Sequence, residues 1–223
     1  MRSHASRYDI MQALICMSHI KKTIWMLLRK IKSGLRRLGW LRDPRVFIFS
    51  HVASEGVAAE VGVWKGDFSE IILKHNKPKK LYLVDPWQFQ PEFSDRMFGG
   101  SVATSQSDMD DIFAGVEARL AAYDSVEFVR EFSDRAAEVI PDESLDWAYI
   151  DGNHYFDYVL ADLKLYGTKV VPGGFIVGDD YWWRPTPDGE LEVKAAVSEF
   201  LATQTAFRWV TEKDGQFLLQ KKQ

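Results

Sequence analysis

The chain has a single cysteine, Cys16, among 223 residues. One thiol excludes an intramolecular disulfide and a cysteine-rich zinc centre, and it suits a reducing compartment, so a cytoplasmic setting is expected. Excess charge of either sign is also scarce. Lys and Arg number 28 against 32 Asp and Glu, a formal net charge of −4, which argues against a general nucleic-acid binder. Long apolar runs are missing as well. The longest, near Ile10 to Ile20, is broken by Gln12, Ser18 and His19 and is followed by no convincing signal-cleavage site, so neither a membrane span nor export is expected. Repeats and low-complexity tracts are absent. What is present is 46% hydrophobic residues, enough for one sizeable core.

The expected organisation is a basic amphipathic helical extension over residues 1–45 and one main domain over residues 46–223. Ile20, Ile24, Leu27, Leu28, Ile31, Leu35 and Leu38 mark one helical face, while Lys21, Lys22, Arg29, Lys30, Lys32, Arg36 and Arg37 crowd the rest. Such a helix packs more often on its own domain or on a second copy of the chain, giving a homo-oligomer, than on an anionic membrane.

The stretch from Leu145 to Tyr181 organises the remainder. Leu145 to Ile150 is an apolar run that stops at Asp151, and Gly174 to Val177 is a second that stops at Gly178, Asp179 and Asp180. Val159, Leu160, Leu163 and Tyr166 lie between them at helical spacing, and Gly167 with Pro172-Gly173-Gly174 is read as closing that helix. Strand, helix and strand predict a right-handed parallel crossover, with Asp151, Asp179 and Asp180 at the carboxyl edge of one sheet. In open α/β sheets that edge binds ligands.

Upstream, Val57 to Val63 predicts a buried strand, followed by a helix through Phe68, Ile71, Ile72 and Leu73. The turn between them, Glu60-Val-Gly62-Val-Trp64-Lys-Gly66, has glycines where a chain turns sharply and a ligand approaches the backbone. A dinucleotide fingerprint needs glycine where Trp64 stands, which disfavours a nicotinamide cofactor. The strand Leu81 to Val84 ends at Asp85, about 20 residues on, where nucleotide folds place an acid on the ribose hydroxyls. Pro86 to Ser107 is a long irregular stretch bordering that crevice. A helix from about Asp108 to Tyr123, a strand Val126 to Val129 and a helix Arg135 to Ile140 follow. Ser133 and Asp134 suit either an adenine edge or a helix cap, and residue type alone favours the cap. A helix from about Leu191 to Ala202 and a hairpin of Phe207 to Thr211 with Gln216 to Gln220 complete the pattern. The expected fold is α/β: a Rossmann-like, doubly wound, mostly parallel sheet with a C-terminal antiparallel hairpin and an N-terminal helical extension.

Taken in order, these motifs resemble the class I S-adenosylmethionine-dependent O-methyltransferases. The likeness runs from about Val57 to the C-terminus and is greatest to the macrocin and mycinamicin sugar O-methyltransferase group, with catechol O-methyltransferase more distant. It implies Glu60, Gly62, Trp64 and Gly66 as the cofactor turn, Asp85 as the ribose acid, and Ser133 with Asp134 as the adenine contacts. In metal-dependent members Asp151, Asp179 and Asp180 correspond to metal ligands, and His154 falls at the base position; Asp151 also borders the cofactor. Mg2+ is the implied ion, since three converging carboxylates repel one another and a hard divalent ion takes oxygen ligands. The implied acceptor is a small-molecule hydroxyl of a sugar or natural product. A metal-free methyltransferase and a non-catalytic nucleoside-binding module remain open on the residues alone.

Overall fold

The computed structural model describes residues 43–93, 96, 98–100 and 102–223. The chain divides into two units, residues 1–44 and residues 45–223. The amphipathic pattern of Ile20 to Leu38 and Cys16 lie outside the described residues.

Seven strands form one sheet, and five of them are short apolar runs because helices cover both faces. They are β1 (Val57–Val61), β2 (Lys80–Val84), β3 (Val126–Val129), β4 (Leu145–Ile150), β5 (Val170–Gly178), β6 (Phe207–Lys213) and β7 (Gln216–Lys221). The order across the sheet is β3-β2-β1-β4-β5-β7-β6. β1 to β5 run parallel, and β7 and β6 close the sheet as an antiparallel hairpin. Between the strands lie α1 (Asp67–His75), α2 (Gln106–Leu120), α3 (Ser133–Val139), α4 (Phe156–Lys169) and α5 (Glu192–Thr203). The fold is thus the expected Rossmann-like, mostly parallel α/β sheet.

Alternation along the strands divides the core in two. Ala59, Val61 and Ala148 face α3, α4 and α5 in a cluster with Ala136, Leu163, Tyr166 and Phe200. Ala58, Trp147 and Tyr149 face the other way, in a cluster with Phe68 and Ile72 of α1 and Val116 and Leu120 of α2. No helix among the described residues is long and apolar enough to cross a membrane.

Register places the site. Val129 pairs with Val84, Val84 with Val61, Val61 with Ile150 and Ile150 with Gly178. The carboxyl ends of five strands are therefore level, and the residues that follow four of them are Asp85, Gly62, Asp151 and Asp179. Gly178 also pairs with Phe217 on the antiparallel β7, which brings Gln216 beside Asp179.

Two local expectations are corrected. Gly167 does not end α4, which continues to Lys169. The rings of Phe200 and Phe207 press on that glycine, with a Cβ there only 3.4 Å from each, so it is a packing glycine. The Pro172-Gly173-Gly174 segment lies inside β5, as an irregularity in its pairing with β4 between Leu145 and Trp147. A Cβ on Gly174 would stand 2.6 Å from Asp146 O, so the bulge needs glycine where the two strands crowd.

Candidate functional site

The turn after β1 is built from left-handed backbone. Gly62 has φ 91°, Trp64 φ 48° and Gly66, the N-cap of α1, φ 70°. Trp64 thus adopts the glycine-like conformation of a nucleotide turn while carrying an indole. The Asp85 carboxylate holds it there: Oδ2 accepts from Val63 N at 3.0 Å and Trp64 N at 2.9 Å, and Oδ1 from Trp87 N at 2.7 Å. Trp87 is fully buried, and its Nε1 donates to Trp64 O at 2.8 Å. The start of the long stretch after β2 is therefore pinned into the core. Asp85 has three of about four lone-pair sites engaged. Burial pushes its pKa up, while the three N–H groups and Arg130 pull it down.

Glu60 sits beneath this turn, 2% exposed, accepting a hydrogen bond from Ser69 Oγ at 2.5 Å. Burial pushes its pKa up to about 8, the Ser69 bond and Arg45 oppose that, and Asp151 and Asp85 add to it. A raised folded-state pKa gives stability that is complete below the unfolded value, near 4.5, and is lost as pH rises toward 8. Thermal melts of the wild type should therefore fall across that window, whereas Glu60→Gln, which keeps an acceptor for Ser69, should flatten the fall. Equal slopes for the two proteins would refute a buried neutral Glu60.

Ser133 and Asp134 are the first two residues of α3, and Phe132 is its N-cap with no side-chain cap bond. The capping role expected of Ser133 and Asp134 is thus corrected: the helix expected from Arg135 starts two residues earlier, at Ser133, and neither residue is its N-cap. Ser133 hydrogen-bonds Asp162 of α4, a carboxyl 5% exposed, and Tyr166 Oη donates to Ser133 O at 3.2 Å. Burial lifts Asp162 to about 7. Asp162 was missed by sequence reasoning, although an acid at the inward phase of α4, between Val159 and Leu163, was the available signal.

The third group lies at the ends of β4 and β5. Asp151 N donates to Val61 O at 2.8 Å and Asp179 N to Ile150 O at 3.1 Å, so both acids hang from strand ends. His154 Nε2 lies 3.3 Å from Asp151 Oδ1 and 3.5 Å from Asp180 Oδ2. Burial draws the imidazole pKa down, but the hydrogen bond to Asp151 and the charges of Asp151, Asp180 and Asp179 outweigh it and hold it above its ordinary value. Burial, then Asp151 and Asp180, push Asp179 up to about 7. Asp180 has φ 53°, a strained geometry for a residue other than glycine. The Trp183 ring is 5.7 Å from that of His154 and 5.3 Å from that of Tyr155. From the long loop, Arg96 donates to Tyr155 Oη at 2.9 Å and lies 5.0 Å over Trp183, so aromatic rings and one guanidinium wall the histidine. Gln216 and Tyr149, also missed, join the cluster through hydrogen bonds.

The structure therefore brings Glu60, Gly62, Trp64, Gly66 and Asp85 together at the carboxyl ends of β1 and β2, and Asp151, His154, Asp179 and Asp180 at those of β4 and β5. Ser133 and Asp134 stand at the start of α3. Trp64 Nε1 is buried and has no hydrogen-bond partner among the described residues. An orphaned buried donor beside a positive-φ turn fits a ligand that carries acceptors.

A family model described as a methyltransferase domain matches residues 59–181, a span from β1 to the residue after Asp180. A search of curated proteins gave no match. Among solved structures, the O-methyltransferase NovP superposes with a TM-score of 0.55 at 20% identity, over 80% of this chain and 76% of NovP. An rRNA methylase from Streptococcus thermophilus gives 0.54 at 14%, over 82% and 99% of the two chains. The N-methyltransferase NodS from Bradyrhizobium japonicum WM9, in complex with S-adenosyl-L-homocysteine, gives 0.52 at 13%, over 87% of each. At such identities these likenesses concern the fold alone, and the three neighbours differ in acceptor.

Proposed function

We propose that this chain, which belongs to the methyltransferase-domain family and is a class I S-adenosylmethionine-dependent methyltransferase, delivers its methyl group to a hydroxyl of a small molecule, a sugar or natural product. One observation carries the reading: His154 Nε2 lies 3.3 Å from Asp151 Oδ1 and 3.5 Å from Asp180 Oδ2, an acid–base group among carboxylates one strand away from the glycine turn. Hydroxyls need a base to become good nucleophiles, whereas a polyanionic acceptor such as RNA would meet the three carboxylates unfavourably. The Tyr155 and Trp183 rings offer a stacking wall for a sugar face.

When bound, S-adenosylmethionine supplies an electrophilic sulfonium methyl. Asp85 holds the turn on which its ribose would rest and keeps a lone pair for a hydroxyl. Ser133 and Asp134 would meet the adenine, and Trp64 Nε1 is a donor awaiting an acceptor. His154 would take the acceptor's proton, making its oxygen the nucleophile for the methyl group that the bound cofactor would supply, with S-adenosylhomocysteine as the other product. Asp151 would orient the imidazole by accepting from Nε2–H, which leaves Nδ1 as the basic nitrogen.

Mg2+ would supply Lewis acidity toward the acceptor hydroxyl. Asp151, Asp179 and Asp180 would hold it: their donor chemistry fits, because burial and then the charges of Asp151 and Asp180 push Asp179 up to about 7, and a cation would balance that crowded negative charge. A second, metal-free reading is favoured by a specific observation. Among the described residues no three His, Cys, Asp or Glu side chains are already gathered to hold a metal ion.

The test is calorimetric binding of S-adenosylhomocysteine with Mg2+ and with EDTA, followed by transfer of a 13C-methyl group to a panel of phenols, sugars and amines. Methyl ethers are expected. Methylamines alone would overturn the hydroxyl assignment, and turnover unchanged by EDTA would select the metal-free version. His154→Ala should lower turnover by about 10²- to 10⁴-fold while leaving S-adenosylhomocysteine affinity nearly unchanged. In the wild type the rate should fall as pH drops through the imidazole's raised pKa. A His154→Ala rate within a factor of three of wild type would remove the base from the mechanism.

A further inference from the structure

Gln216 is 1% exposed and Tyr149 fully buried. Neither has the environment of a filler, because a buried primary amide is costly unless both its ends are bonded. Tyr149, on β4 with its ring 4.4 Å from that of Phe68, donates its hydroxyl to Gln216 Oε1 at 2.5 Å. A phenol carries a single O–H, and here that donor is spent on the amide oxygen. That fixes the sense of the amide: Oε1 faces the tyrosine, and Nε2 donates to Asp179 Oδ1. Asp179 Oδ1 takes a second donor, Asp180 N, at 2.6 Å.

The hairpin is locked in place around this contact. Tyr181 N donates to Gly215 O at 2.9 Å, and Gly215 N to Glu212 Oε1 at 2.8 Å. The register of Gly178 with Phe217 sets Gln216 level with the residue after β5, while Lys213 pairs with it on the β6 side.

We propose that Gln216 is a positioning residue of the acidic site: with its carbonyl end held by Tyr149, it fixes the rotamer of Asp179 by binding one carboxylate oxygen and leaves the other for the site. This rests on the role given to Asp179 under Proposed function. A leucine in place of Gln216 would bury as well and would not choose between the two oxygens.

Side-chain amide 15N–1H spectra test the relay, and Mn2+ binding followed by electron paramagnetic resonance, with S-adenosylhomocysteine calorimetry beside it, tests its use. The Gln216 amide signals, identified by their loss in Gln216→Met, should shift in both Asp179→Asn and Tyr149→Phe. Gln216→Met should weaken Mn2+ about 10- to 100-fold, as loss of an outer partner of a ligand does, with S-adenosylhomocysteine affinity within twofold. Tyr149→Phe, which removes a single oxygen and spares the fold, should weaken Mn2+ less. Amide signals indifferent to Asp179→Asn would overturn the proposal, as would Mn2+ affinity unchanged in Gln216→Met. Failure of the wild type to bind Mn2+ would sink the cation reading instead, and the amide shifts would then decide the relay alone.

Discussion

Gly62→Ala is expected to give a protein that no longer binds S-adenosylhomocysteine and melts about 10 °C lower. A Cβ at that position would stand 2.2 Å from Asp151 O, 2.4 Å from Asp151 C and 2.7 Å from Gly152 N. These are main-chain atoms of the adjacent strand end, so no side chain can swing aside. Gly62 also has φ 91°, which an alanine adopts at a cost of about 1–2 kcal/mol. Adding about 1–3 kcal/mol for overpacking gives about 4 kcal/mol, and a domain of this size loses roughly 2–4 °C per kcal/mol. The only relief is to part β1 from β4 where Asp151 N meets Val61 O, and that displaces the acid on which His154 depends. Gly115→Ala is the control. That glycine lies in α2 with nothing within 4 Å of an added Cβ, and the change should stabilise by up to about 1 kcal/mol. Equal melting temperatures for Gly62→Ala and wild type would show that the strand ends are not in the tight contact described.

The second large effect is expected from Asp85→Ala. Three main-chain N–H groups converge on that carboxylate, and bonds to a charged acceptor contribute about 1.5–3 kcal/mol each, not additively. Releasing Val63 and Trp64 frees a turn in which Trp64 is held at positive φ. A loss of about 3 kcal/mol corresponds to roughly a 100-fold weaker complex with S-adenosylhomocysteine. Asp85→Asn should fall between the two, because its amide keeps one acceptor oxygen and presents an NH2 where the other oxygen met an N–H. Calorimetry on all three proteins, with melts to register folding, checks the order. Should Asp85→Ala bind within threefold of wild type, the acid would be a turn fastener and nothing more.

Most of the sheet was legible because its parallel strands are apolar runs ended by acids or glycines: β3 and β4 were bounded correctly from pattern alone. Errors fell where glycine and proline were read as local punctuation. Gly167 is set by the rings of Phe200 and Phe207, and Gly174 by a neighbouring strand, neither of which any window along the chain contains. Ser133 and Asp134 look like caps by residue type, yet Phe132 takes that position, since the strand-to-helix connection decides where the helix opens. The acids and His154 were found because each closes a strand or opens a helix. Gln216 and Tyr149 were not, because their bond spans 67 residues and exists only once the hairpin folds back. Asp162 stood out as an acid at the inward phase of α4, but its partner Ser133 lies on another helix, outside any local window.

The position of β7 between β5 and β6 bears on how the chain is made. On a ribosome, β1 to β5 emerge first and can assemble with their helices, leaving the outer edge of β5 with bare amides and carbonyls. β6 emerges next but has no place to pair, because its neighbour is the strand that follows it. Until residues 216–221 are free, the nascent sheet carries an open apolar edge of the kind that recruits other chains. Truncation after Lys213 should therefore yield aggregates rather than a smaller domain, and holdase chaperones should be found on nascent chains of that length.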